Sequence, residues 1–152
     1  MYDALIGVTK AYGLVSTAEP RFYEPHYASG EKRRPDIHWR TSSRLTTDVT
    51  VVSPMPVADL AGHRAAEAKM KAHRDAVHAM GHNFIPFVCE IQGHMHKSAH
   101  DVIDKLAREL LPAQQRSFRS DMRYAVSAAL AKGRANAVLA AIARARSNAH
   151  AL

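Results

Sequence analysis

The sequence predicts a mixed α/β domain: a small mixed sheet flanked by helices, with further helices at the C-terminal end. Three observations predict it. Thr46-Thr47-Asp48-Val49-Thr50-Val51-Val52 is dense in β-branched residues, the composition of a strand. A stretch rich in Ala, Lys, Glu and Arg over 57–80 follows, and then an apolar run, Phe84-Ile85-Pro86-Phe87-Val88-Cys89, so that a helix joins two strands. A crossover of this kind implies that the strands it joins run parallel. Beyond residue 112 the chain is rich in Ala and Arg, which is helix-forming composition.

The remaining elements follow in order. Residues 2–13 form a short helix around Leu5, Ile6 and Val8, with Gly13 as its stop. Residues 14–34 are irregular, broken by Pro20, Pro25 and Gly30, with room for a first short strand at 14–17. A strand over 36–40 is led in by Pro35, and a turn over 41–44 returns the chain antiparallel into 46–52. Ser53-Pro54-Met55-Pro56 ends that strand, and Gly81 closes the 57–80 helix. Pro86 has no N–H to give a ladder, so a bulge or an edge is expected there. Ser98 or His100 is expected to cap a helix to about 111, with Val102, Ile103, Leu106 and Leu110 on one face. Two more helices are expected over about 113–131 and 134–147, separated at Gly133. The whole of 1–152 reads as one domain, with a core over about 14–111 and a helical extension over about 113–148.

The chain has 152 residues, enough for one core. No window reads as a membrane span and the first residues lack the features of a secretory signal. One cysteine, Cys89, excludes an internal disulfide, suits a reducing intracellular compartment, the nucleus included, and is expected to be an inert core thiol. The net charge of +7 makes a phosphate polyanion the natural partner. The ten histidines lie mostly in polar, helical or loop contexts and are expected to add charge at mildly acid pH. The arginines at 116, 119, 123, 134, 144 and 146 repeat at spacings of exposed helix faces, suited to phosphate contacts or to simple surface snorkelling.

Arg34-Pro35-Asp36 and Thr47-Asp48-Val49 carry the chemistry. One aspartate opens a strand and the other lies in the next, and antiparallel neighbours can bring two such carboxylates to one point. Paired hard oxygens are what Mg²⁺ takes while it keeps several waters, and the ion then acidifies water and neutralises charge on a phosphate under attack. The plain alternative makes Asp36 a turn residue and Asp48 an exposed strand position. The next helix offers Lys69 and Lys71, with His73 and Arg74 beside them, as cations for transition-state charge or as a solvated face. His94-Met95-His96 with His100 invites a zinc reading, but no cysteine pair or acid stands near; a phosphate-contacting loop is the expectation.

The ordered set Glu31-Lys32-Arg33-Arg34-Pro35-Asp36-Ile37, Thr47 to Val52, a Lys-rich helix, and Phe84-Ile85-Pro86-Phe87-Val88-Cys89-Glu90 with Gly93 following resembles the PD-(D/E)XK restriction-endonuclease-like domain. The likeness is to the restriction-like endonuclease region of some non-LTR retrotransposon polyproteins, and it covers about residues 19–110. The resemblance implies a metal-dependent endonuclease acting on DNA, with Mg²⁺ or Mn²⁺ as cofactor. Asp36 matches its first aspartate and Asp48 its second acidic position. The lysine expected two residues later is Thr50 here, so the resemblance points to a lysine from the following helix, Lys71 before Lys69. An upstream glutamate, Glu19 ahead of Glu24, completes the metal site, and Glu90 is a metal-shell or structural carboxylate. Arg34, Arg116, Arg119 and Arg123 are the nucleic-acid contacts expected. The missing lysine motivates the alternative, a decayed nuclease fold that binds nucleic acid or a protein partner.

Overall fold

A computed structural model of the chain describes residues 1–27, 34–53 and 60–149, with side chains to Arg144 in the last helix. The expected residues 31–33 of the first motif, the Pro54–Pro56 break, the helix start at 57 and the side chain of Arg146 lie outside the described residues. The order is α1 (Tyr2–Ala11), β1 (Ser16–Ala18), a 3-10 helix (Arg21–His26), β2 (Ile37–Trp39), β3 (Leu45–Thr47), β4 (Val49–Val52), α2 (Leu60–Ala79), β5 (Asn83–Phe84), β6 (Phe87–Glu90), α3 (Lys97–Arg108) and α4 (Pro112–Ala149). This is a mixed α/β fold with a small mixed sheet. Strands β1, β2 and β3 pair antiparallel, and β5 joins parallel to β3. Strand β6 pairs parallel to β4. The crossover through α2 therefore joins parallel strands, as the sequence predicts.

Both runs expected as single strands are interrupted, and at matching places. The run 46–52 breaks at Asp48 and the run 84–89 at Ile85–Pro86. Pro86 cannot donate, so the ladder is carried past it by Ile85 N–H to the Thr46 carbonyl (3.0 Å) and Phe87 N–H to the Asp48 carbonyl (2.9 Å). The Thr47 hydroxyl gives its proton to the Ile85 carbonyl at 2.6 Å. The interruption is thus hydrogen-bonded rather than open.

Alternation along the strands sorts side chains into two cores. Ile37, Trp39, Leu45, Phe87 and Cys89 join Leu5 of α1, the apolar face of α3 and Phe118, Met122, Val126 and Leu130 of α4. Trp39, the chain's one tryptophan, is fully buried, and its indole N–H has no partner among the described residues. On the other side, Tyr23, Val77 and Phe84 form a smaller cluster under α2. That side is polar where it nears β2. The Tyr23 hydroxyl lies 2.7 Å from Thr46 Oγ1, 2.7 Å from His82 Nδ1 and 3.1 Å from His38 Nδ1. Burial drives His38 down to about 4 and lowers His82. His38 therefore stays neutral at mildly acid pH, against the expectation that the histidines add charge.

Other boundaries shift for identifiable reasons. His96, not Ser98 or His100, caps α3, its Nδ1 accepting from Ser98 N–H. The C-terminal helices expected on either side of Gly133 are one helix of 38 residues, because a single glycine costs only about 1 kcal/mol amid Ala-rich neighbours. The expectation that no segment resembles a membrane span also needs correcting. Pro112–Arg144 is long and apolar enough by length and composition, with an 18-residue window of mean hydropathy 1.2. The same helix carries charges along its length and packs its first half on the body.

Leu106 is fully buried and Ile142 is 44% exposed. Leu106→Ala should therefore cost about 2–5 kcal/mol in urea unfolding, whereas Ile142→Ala should fall within about 0.5 kcal/mol of wild type.

Candidate active site

The register of β2 on β3 pairs Ile37 with Thr47 and His38 with Thr46. One step further along, Asp36 stands opposite Asp48. The two carboxyls are close enough to shift each other's titration, one up and one down. Asp36 Oδ2 accepts the Val49 N–H at 2.7 Å, a donor that faces away from β6 just beyond the last β2–β3 pair. Asp48 is 5% exposed, which removes the reading of it as an exposed strand position.

Helix α2 crosses this point and supplies two partners to one oxygen. Lys69 Nζ lies 2.7 Å and His73 Nε2 2.9 Å from Asp48 Oδ2. Residues four apart share a helix face, so the pair arrives together. His73 is itself fixed from behind: its Nδ1 lies 2.6 Å from the Tyr27 hydroxyl and its ring packs against Phe84. If the Tyr27 hydroxyl donates to Nδ1, Nε2 is the ring nitrogen left to donate to the carboxylate. Lys71, the lysine preferred from sequence, is not brought here. It lines a separate cavity of about 580 Å³ together with Met70, Phe84 and His96. At about 100° per residue the two lysines are roughly 200° apart around α2, so only one of them can reach the aspartates.

The carboxylates open into a cavity of about 410 Å³ lined by Arg34, Asp36, Asp48, Lys69, Ala72 and His73. Arg34 Nε pairs with Glu24, and its Nη1 lies 3.6 Å from Glu19 Oε2. Glu19 sits at the rim, where its N–H bonds the Asp36 carbonyl at 2.8 Å and its φ is +39°. Glu90 is placed elsewhere. It pairs with Val52 at the far end of β6, about 10 Å along the strand from Phe87, which lies beside the break. Arg116, Arg119 and Arg123 lie on α4, which packs on α1 and α3 rather than on α2, and Arg119 Nε is bonded to Asp104 at 2.7 Å. The structure therefore brings together Asp36, Asp48, Lys69 and Arg34, with Glu19 at the edge, and leaves out Lys71, Glu90 and the α4 arginines. His73 was noted in the sequence only as a neighbour of the lysines. Its position four residues after Lys69 is the signal that identifies it.

Among the described residues no group of three or more His, Cys, Asp or Glu side chains is disposed to hold a metal ion, and His96 of the zinc-like cluster serves as a helix cap. The aspartate pair offers a smaller donor set. Its Oδ2 atoms are engaged, by Val49 on one side and by Lys69 and His73 on the other, and no donor is bonded to either Oδ1 among the described residues. One hard oxygen from each carboxylate fits Mg²⁺, which keeps most of its shell as water.

Burial, with the neighbouring Asp48, pushes the Asp36 carboxyl up to about 6. Burial also acts to raise Asp48, but hydrogen bonds with His73 and Lys69, together with the neighbouring Asp36, outweigh it and hold Asp48 at about 2. Without a cation, the pair's proton sits on Asp36 only below about pH 6. Cys89, at about 12 through burial, is an inert thiol, as expected.

Compared with known proteins, the chain matches no family model, and no curated protein matches it in sequence.

A carboxyl raised on folding binds its proton more tightly in the folded chain, so it costs stability as pH rises from about 4 to about 6. Asp36→Asn removes that cost. The variant should melt above wild type at pH 7.5 in chelator, and the gap should close as pH falls to 4. A gap that persists unchanged at pH 4 would assign the effect to something other than this carboxyl.

Proposed function

We propose that the chain is a metal-dependent endonuclease domain of the PD-(D/E)XK type that hydrolyses DNA phosphodiesters. The observation that carries this reading is the meeting of Asp36, Asp48 and Lys69 in one cavity. The sequence order that resembles the retroelement endonuclease region supports it, as does the parallel strand returned through α2. Lys69 supports the idea that a helix lysine serves where Thr50 stands in the motif.

Asp36 and Asp48 would hold Mg²⁺ or Mn²⁺ through one oxygen each. When bound, such an ion lowers the pKa of a coordinated water and offsets charge on the phosphate. The chain's own residues do the rest. Lys69 is positioned to give an ammonium to the oxygen on which negative charge develops, a contribution made within a half-buried site where it is weakly screened. His73, steadied by Tyr27, fixes the rotamer of Asp48 where its side chain lines the cavity. Arg34 stands at the mouth, held by Glu24 and Glu19, where a strand phosphate would compete for its guanidinium.

The alternative, a decayed nuclease fold, draws on Thr50, whose hydroxyl is buried without a hydrogen-bond partner among the described residues. A plasmid nicking assay with Mg²⁺ or Mn²⁺ separates the two. Asp48→Ala should abolish nicking, Lys69→Ala should slow it about 100- to 1000-fold, and Lys71→Ala should leave it within about twofold. An inactive wild type, or equal effects from the two lysines, would remove the hydrolytic reading.

A further inference from the structure

The continuity of α4 through Gly133 aligns residues that two separate helices would not. At about 100° per residue, Arg116, Arg123 and Arg134 fall within about 20° of one another, spanning roughly 27 Å of helix. Ser120 and Ser127 lie within about 60° of the same line. All five are exposed. None of the three arginines forms an ion pair among the described residues, whereas Arg119, which is also within about 60° of the line, is tied to Asp104. The only acid on α4 is Asp121, about 140° from Arg116, and it is bonded to the Tyr12 hydroxyl at 2.7 Å. A concave opening of about 450 Å³ is lined by Arg116, Arg119, Ser120 and Arg123.

We infer that this line is a docking rail for the sugar-phosphate backbone of double-stranded nucleic acid, read without sequence preference. Charge complementarity requires an anionic partner. Guanidinium groups take phosphate oxygens bidentately, and the interleaved serines add neutral donors. A lipid surface would favour apolar residues between the cations, where this line carries serine. A second copy of the chain would bring like charges together. The rail belongs to the layer of α1 and α3, away from the aspartate cavity on the α2 side, so it would anchor the chain on a duplex by a surface separate from the site of cutting. In that sense it rests on the hydrolytic reading, but its binding does not require hydrolysis.

The test is fluorescence anisotropy with a random 30-base-pair duplex at several salt concentrations. Arg116, Arg123 and Arg134 are changed together to Gln, and in a second variant together to Lys, with circular dichroism melts to verify folding. The Gln triple should bind at least tenfold more weakly at low salt and flatten the slope of log K against log salt by about 2 to 3. The Lys triple should keep most of the slope. A Gln triple that binds with wild-type affinity and slope overturns the rail. So does a wild type that binds phosphatidylserine-containing vesicles and not the duplex. If wild type binds through the rail yet never nicks plasmid, the rail stands and hydrolysis fails. If Asp48→Ala abolishes nicking while the Gln triple binds like wild type, hydrolysis stands and the rail fails.

Discussion

Two carboxylates held face to face by strand register are the constraint around which this molecule is arranged. Asp36 and Asp48 stand opposite because β2 and β3 pair as they do, and that register is fixed by burying Ile37, Trp39 and Leu45 on the opposite face. A slip of one residue would separate the acids and turn the apolar set out of the core. The repulsion between them is therefore maintained by hydrophobic burial elsewhere in the same strands. Left alone, such a pair would take up protons. Here Asp48 is held ionised by Lys69 and His73, and Asp36 is the one that takes up a proton as pH falls through about 6.

The interruption of the sheet serves the same pair. Val49 N–H faces away from β6, beyond the point where β2 stops pairing with β3. There it donates to Asp36. Proline at 86 contributes by withholding a donor, and Thr47 covers the exposed Ile85 carbonyl from the neighbouring run. Behind the break, two hydrogen-bonded groups sit side by side under α2: Tyr27–His73–Asp48, and Tyr23 with His38, Thr46 and His82. Each hydroxyl or imidazole in them is satisfied by another side chain, which is what permits so much polarity at the edge of a core.

Much of this was legible in the sequence, because it depended on local composition. The β-branched density of 46–52, the crossover helix and the Arg-Pro-Asp turn give the strands, their directions and the aspartates. The interruptions were less visible: Pro86 announces one, but nothing local in Thr47-Asp48-Val49 announces its partner. The choice between Lys69 and Lys71 was not decided by proximity in sequence, because helical phase relative to the sheet decides it. His96 as a cap was hidden by the stronger capping reputation of Ser98. Gly133 misled because a glycine is read as punctuation, while its neighbours' propensity carries the helix through. Glu90 fits the motif in sequence yet ends a strand that runs away from the site.

Trp39 gives the molecule an optical handle on all of this. It is the single indole in the chain, enclosed in the main core, on the strand that begins just after Asp36. Its emission in the folded chain should be blue-shifted, with the contribution of other indoles absent by composition. Loss of β2 from the sheet would bring the ring into water and move that emission to the red. One spectrum therefore follows the strand whose register sets the carboxylates opposite each other, without any label added to the cavity.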